Sequence, residues 1–169
     1  MTLMAYWLVK SEPGTFSIDD LERKGVEHWD GVRSYMARNN LMAMKVGDLA
    51  LFHHSSADPP GVAGICEVVR EAYPDHTQFD PESKYFDPKA TPEDPRWFMP
   101  DMKFVRKFPR FVPIKEIRET PGLQDMALVQ RGMRLSVQPV TEKEWQIVCD
   151  LGESDESDRS AFVFSSEPQ

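Results

Sequence analysis

Residues 28–40 read His28-Trp29-Asp30-Gly31-Val32-Arg33-Ser34-Tyr35-Met36-Ala37-Arg38-Asn39-Asn40. This one segment holds an indole, a carboxylate, two guanidinium groups and two amides. An indole stacks on a flat heterocycle, while carboxylates and amides hydrogen-bond its polar edges. These residue types therefore suit recognition of a planar, polar ring. They equally suit a buried tryptophan followed by a turn and a helix start, and the stretch by itself leaves both readings open. A second group is His53-His54-Ser55-Ser56, where an imidazole beside hydroxyls could serve as a general base. With His54 and Asp75 as acid and base, the chain would be an enzyme acting on a nucleotide or small heterocycle. Nothing else marks a nucleophile: there is no Gly-x-Ser-x-Gly and no partnered cysteine. The four histidines (28, 53, 54 and 76) lack metal-site spacing. No dinucleotide or P-loop glycine pattern occurs, so neither a metal nor a cofactor is expected.

The elements that must position these groups can be read in order. Ala5–Lys10 alternates and is rich in aromatic and branched residues, as a strand does. Ser17 with Asp20 forms a capping box, Phe16 with Leu21 a staple, and Gly25 a C′ stop, so 18–24 is a short helix. Trp29-Asp30-Gly31 reads as a strand end or loop, and a helix follows from about Ser34 to Met44. Leu49–His54 and Val62–Glu71 are strands turned at Pro59-Pro60-Gly61 and paired antiparallel. Residues 73–101 hold six of the 14 prolines, so they form a long loop. Its aromatics (Tyr73, Tyr85-Phe86, Trp97-Phe98) need either a core or a ligand to lie on. Met102–Phe108 and Leu135–Gln138 are strands, with single helical turns at Ile114–Arg118 and Met126–Val129. Thr141 with Glu144 caps a last helix, for which Gly152 is the C′ residue. Short peripheral helices around more numerous strands give an α+β layout.

Composition narrows the function. The 169 residues make one domain, 1–152, followed by an acidic, Ser-rich tail at 153–169 that reads as disordered. The absence of an apolar run of about 18 residues gives no membrane span, and no secretory pattern opens the chain. Cys66 and Cys149 are expected as buried free thiols. The expected location is the cytoplasm, or the nucleus in a eukaryote, and the default state is a monomer. A net charge of −8 argues against unspecific nucleic-acid binding. Half of that excess sits in the tail, however. Segment 103–119 carries Lys103, Arg106, Lys107, Arg110, Lys115 and Arg118 against only Glu116 and Glu119. A local basic face suits a partner held by few phosphate contacts.

Several motifs together resemble the EVE domain, a PUA-like family related to the YTH domain. They are Tyr6-Trp7-Leu8-Val9-Lys10-Ser11-Glu12-Pro13; Trp29-Asp30-Gly31-Val32-Arg33; Ala37-Arg38-Asn39; Met44-Lys45-Val46-Gly47-Asp48; Phe52 with His54-Ser55; Gly61-Val62-Ala63-Gly64; Ala72-Tyr73-Pro74-Asp75; Phe104-Val105-Arg106 with Phe108-Pro109-Arg110; and Leu135-Ser136-Val137-Gln138-Pro139-Val140-Thr141. They run in order across about 5–150. The resemblance implies a PUA-like twisted β-barrel of about six strands surrounded by short helices. It also implies a non-catalytic module that reads a modified base in an aromatic and polar pocket. Modified cytosine or methylated adenine in DNA is the expected target, ahead of RNA. Carried over by position, Ser11 faces the pocket from the first strand, Trp29 is a stacking wall, and Asp30 and Asn39 are polar contacts. His53 and His54 lie beside them, with Tyr73 and Trp97 closing the cage. Arg33, Arg106, Lys107 and Arg110 would face the nucleic-acid backbone. The chain departs from the family at His53, where an aromatic such as Tyr is more common, and at Ser34, where Asn is common.

Overall fold

A computed structural model describes residues 4–154. Six strands form one mixed sheet: β1 (Tyr6–Ser11), β2 (Val26–His28), β3 (Leu49–His54), β4 (Gly61–Pro74), β5 (Phe98–Pro113) and β6 (Val137–Val140), in the order β2-β5-β4-β3-β1-β6. β1 and β3 are parallel, and every other pair is antiparallel. Four helices pack around the sheet: α1 (Ile18–Lys24), α2 (Tyr35–Ala43), α3 (Ile114–Glu119) and α4 (Glu142–Glu153). The α+β class is as expected. The barrel is not closed, because β2 and β6 are the sheet's two edges and do not pair with each other. β2 has only three residues, too short to complete a seam.

The sheet has a core on each face. On one side Val9, Phe52, Ala63 and Met102 pack with Ile18 and Leu21 of α1 and with Ala37 and Leu41 of α2. On the other, Leu8, Leu51, Val62 and Val112 pack with Ile117 of α3 and with Trp145 and Val148 of α4. The period of two along β1 and β3 produces this split, since consecutive residues face opposite ways. The capping boxes fold as read: Ser17 with Asp20 opens α1, and Thr141 with Glu144 opens α4.

Three boundaries differ from expectation. β4 and β5 are longer, because each pairs with the other from Gly61↔Pro113 to Pro74↔Phe98. Cross-strand bonding and several bulges there outweigh the proline signal. β2 pairs with Asp101–Lys103 of β5, and three residues give no alternation to read. Gly152 does not stop α4 but lies inside it, against the Phe108 ring. A Cβ at 152 would sit 2.3 Å from that ring, so the glycine is there for close packing. Glu153 ends the helix and Ser154 is its C-cap, while 155–169 of the expected disordered tail lie outside the described residues.

No described helix is long and apolar enough to cross a membrane. Cys66 is buried and Cys149 half-buried, both free. Burial pushes each thiol up to about 12, so neither is a ready nucleophile.

Candidate functional site

A cleft of about 750 Å³ opens beside the C-terminal end of β1. That volume lies within the range of small-ligand pockets. Four chain segments build most of it. The end of β1 and the turn after it supply Lys10, Ser11, Glu12 and Phe16. The run from β2 to the α2 cap supplies Trp29, Asp30, Gly31 and Arg33. The long loop supplies Lys84 and Tyr85. Arg134 and Ser136, just before β6, complete the rim.

Each wall has a local cause. The Ser11 hydroxyl donates to the Phe16 carbonyl at 2.6 Å, which folds the post-β1 turn back over the strand end. The backbone N–H of Trp29 donates to the Pro100 carbonyl at 2.9 Å, extending the β2–β5 pairing by one step. The indole packs edge-to-face on Phe52 at 5.5 Å and on Phe16 at 6.5 Å. Only 7% of Trp29 stays exposed, so it lines the cleft but offers little surface for a ligand to stack on.

Gly31 then turns the chain at φ +83°, a conformation that glycine adopts without cost. A Cβ there would sit 2.7 Å from the Tyr85 ring. Glycine thus lets the loop aromatic close onto the Trp29 segment.

Asp75 locks this arrangement from behind. Its fully buried carboxylate accepts the Gly31 N–H at 2.8 Å, the Thr77 N–H at 2.8 Å and an Arg33 Nη1 bond at 3.1 Å. Burial opposes its ionisation, yet the bonds from Thr77, Gly31 and Arg33 outweigh burial and hold it below the usual carboxylate range. Arg33 is spent on the scaffold as well. Its Nε donates to the Tyr85 carbonyl at 2.9 Å and its Nη2 to Thr77 Oγ1 at 2.9 Å.

Asp30 has the opposite environment. It lines the cleft half-buried, with His28 Nε2 at 3.8 Å. Burial, then the Asp75 charge, raises its carboxyl above the ordinary value, and His28 offsets part of this. Asp30 is thus a carboxylate without a committed donor, facing open space.

Of the residues expected at the site, Ser11, Trp29, Asp30 and Arg33 meet here. Asn39 is exposed on α2 and bonds Arg38. His53 is buried in β3 with no partner for either ring nitrogen, and His54 Nε2 accepts the Ile18 N–H at 3.1 Å. The Tyr73 hydroxyl donates to Asp101 at 2.5 Å. Trp97 is buried under Tyr35 at 4.8 Å, with its Nε1 donating to Asp87 at 2.7 Å. None of these five lines the cleft, and neither does Asp75. The three β5 cations expected at the nucleic-acid backbone also lie elsewhere, each paired with an acid: Arg106 with Glu153, Lys107 with Asp19 and Arg110 with Glu116. The cleft residues not singled out as site residues from sequence include Phe16, Tyr85, Lys84, Lys10, Arg134 and Ser136. Tyr85 was visible as a loop aromatic, but only the glycine opposite it distinguishes it from Tyr73 and Trp97.

Among the described residues no group of His, Cys, Asp and Glu could hold a metal ion. The open cleft carries mixed charge and three aromatic residues, Phe16, Trp29 and Tyr85, and it sits on a six-stranded mixed sheet with the α+β layout of PUA-like domains. The chain belongs to the EVE-domain family, whose model matches residues 5–151. It is 43% identical to human thymocyte nuclear protein 1 over 174 aligned positions, covering 92% of this chain and 77% of that protein. A hypothetical protein from Leishmania major superposes with a TM-score of 0.85 at 51% identity, over 89% of this chain and 96% of that one. The structure of human THYN1 in complex with 5-methylcytosine-containing DNA superposes with a TM-score of 0.82 at 42% identity, over 89% of this chain and 99% of that chain.

Proposed function

We propose that the protein is a non-catalytic reader of a modified base in DNA, with 5-methylcytosine as the first candidate. The observation that carries this reading is the THYN1 complex: a relative 42% identical across the same fold is seen with DNA bearing that base. The cleft supplies suitable chemistry. An extruded base enters beside the Tyr85 ring, with Trp29 in the wall behind it. Asp30 accepts from an exocyclic amine, the role carboxylates play toward the cytosine N4 amino group. Unstacking a base from a duplex costs a few kcal/mol, and stacking on an aromatic returns about 1–3 kcal/mol. Hydrogen bonds at the base edge and apolar contact with the methyl group supply the rest.

An enzyme built on His54 and Asp75 has less support. His54 is committed to the Ile18 N–H and Asp75 to Gly31, Thr77 and Arg33.

The test is a binding series with duplexes alike except for one cytosine, one 5-methylcytosine or one N6-methyladenine, and an RNA duplex of the same sequence. Saturable binding that favours a modified DNA duplex, with the nucleotide recovered unchanged, is the expected result. Equal affinity for modified and unmodified DNA, preference for RNA, or product formation overturns the reading.

A further inference from the structure

A second groove adjoins the cleft and shares Lys10 and Arg134 with it. Its remaining wall comes from α3 and the 128–134 turn, including Arg118, Gln130 and Arg131. Four cations (Lys10, Arg118, Arg131 and Arg134) line it, and no carboxylate does. That is an unusual concentration in a chain of net charge −8. Three of the β5 cations, Arg106, Lys107 and Arg110, are neutralised by Glu153, Asp19 and Glu116. In contrast, no side chain of these four makes a hydrogen bond or ion pair with any described residue. Arg118, Arg131 and Arg134 are exposed. Lys10 is half-buried, and burial lowers its pKa from the usual lysine value. A concave, unpaired cationic lining is the electrostatic footprint of a polyanion.

We propose that this groove binds the phosphodiester backbone of the DNA strand flanking the base held in the cleft. The inference rests on the base-reading function proposed above and adds a subsite to it. Lys10 and Arg134, common to both concavities, mark where the strand passes from one to the other. Arg118 and Arg131 then meet the next phosphates. Such contacts fix register on the strand and carry no sequence information themselves. On this account the affinity for flanking DNA comes from α3 and the 128–134 turn, not from the basic residues of β5.

The experiment compares wild type, Arg118→Ala/Arg131→Ala and Lys107→Ala on a 5-methylcytosine duplex and its unmodified twin across a salt series. Both arginines are exposed and pair with no described residue, so thermal melting should show all three proteins equally folded. In the double variant the slope of log affinity against log salt should become shallower by about 0.9 for each arginine, on both duplexes. Lys107→Ala should keep the wild-type slope. An unchanged slope in the double variant, or an equal change in Lys107→Ala, overturns the groove. Equal wild-type affinity for the two duplexes overturns the base-reading function instead, and leaves the groove to be judged on its slope.

Discussion

Gly31 and Tyr85 are in contact across 54 positions of sequence, so closely that a Cβ on residue 31 would lie 2.7 Å from the tyrosine ring. The contact joins the Trp29 segment to the long loop and fixes the width of the cleft between them. Gly31→Ala meets two penalties: the φ of +83°, worth about 1–2 kcal/mol, and the overlap with the ring. The variant is expected to melt lower and to bind DNA more weakly. Tyr85→Ala removes only the overlap, so the double variant should be less destabilised than the two single effects added together. Strict additivity in urea titrations would show that the contact is not felt.

Asp75 is the buried acceptor that gathers Gly31, Arg33 and Thr77. Asp75→Ala leaves Arg33 without its ion-pair partner, and a broken buried pair costs about 3–5 kcal/mol. The pH dependence follows from the lowered native pKa. The stabilisation is present above the unfolded value of about 3.9 and is lost as pH falls through the lower native value. Wild type should lose stability steeply below about pH 4, and Asp75→Ala should lack that component. Parallel acid profiles for the two proteins would contradict the assignment.

His53 makes a separate acid-sensitive element. It is 3% exposed with both ring nitrogens unpartnered. Burial, then the Lys10 and His54 charges, pushes its pKa down to about 4. The neutral ring is tolerated in the core, whereas the unfolded chain takes up a proton near pH 6.5. The native state is therefore unaffected above about pH 6.5 and weakens as pH falls toward 4, by about 3 kcal/mol in all. His53→Leu should abolish this loss and be at least as stable at pH 7, since it also removes two unsatisfied polar atoms. Urea titrations at pH 7 and pH 4 compare the two. An equal loss in both proteins would assign the acid sensitivity elsewhere.

The sequence made the ends of α1 and α4 readable because capping is local: Ser17 with Asp20 and Thr141 with Glu144 need only a few neighbours. β1 and β3 were readable because their alternation and branched residues are strong. The true lengths of β4 and β5 were hidden, since each is set by its partner. At the site, Ser11, Trp29 and Asp30, expected at the pocket from the family resemblance, line one cleft, and Arg33, expected at the nucleic-acid backbone, lines it too. Arg33 nevertheless braces the loop, with its donors committed to Tyr85, Asp75, Val32 and Thr77. The loop aromatic that reaches the cleft is Tyr85, while Tyr73 and Trp97 turn to Asp101 and Asp87. Such orientations depend on contacts tens of residues away, which no local pattern encodes. The same holds for the β5 cations, whose partners Asp19 and Glu153 are distant in sequence.

Trp29 is a poor probe of binding, because its packing on Phe16 and Phe52 makes truncation costly to the fold, by about 3–5 kcal/mol. Asp30, half-buried and facing the cleft, is the better one. The decisive measurement is the ratio of affinities for a 5-methylcytosine duplex and its unmodified twin, in wild type and in Asp30→Ala, with both proteins confirmed folded by thermal melting. A ratio well above one in wild type that collapses toward one in the variant is expected, because only unspecific backbone binding would remain. A ratio that survives the loss of Asp30 would contradict recognition in this cleft.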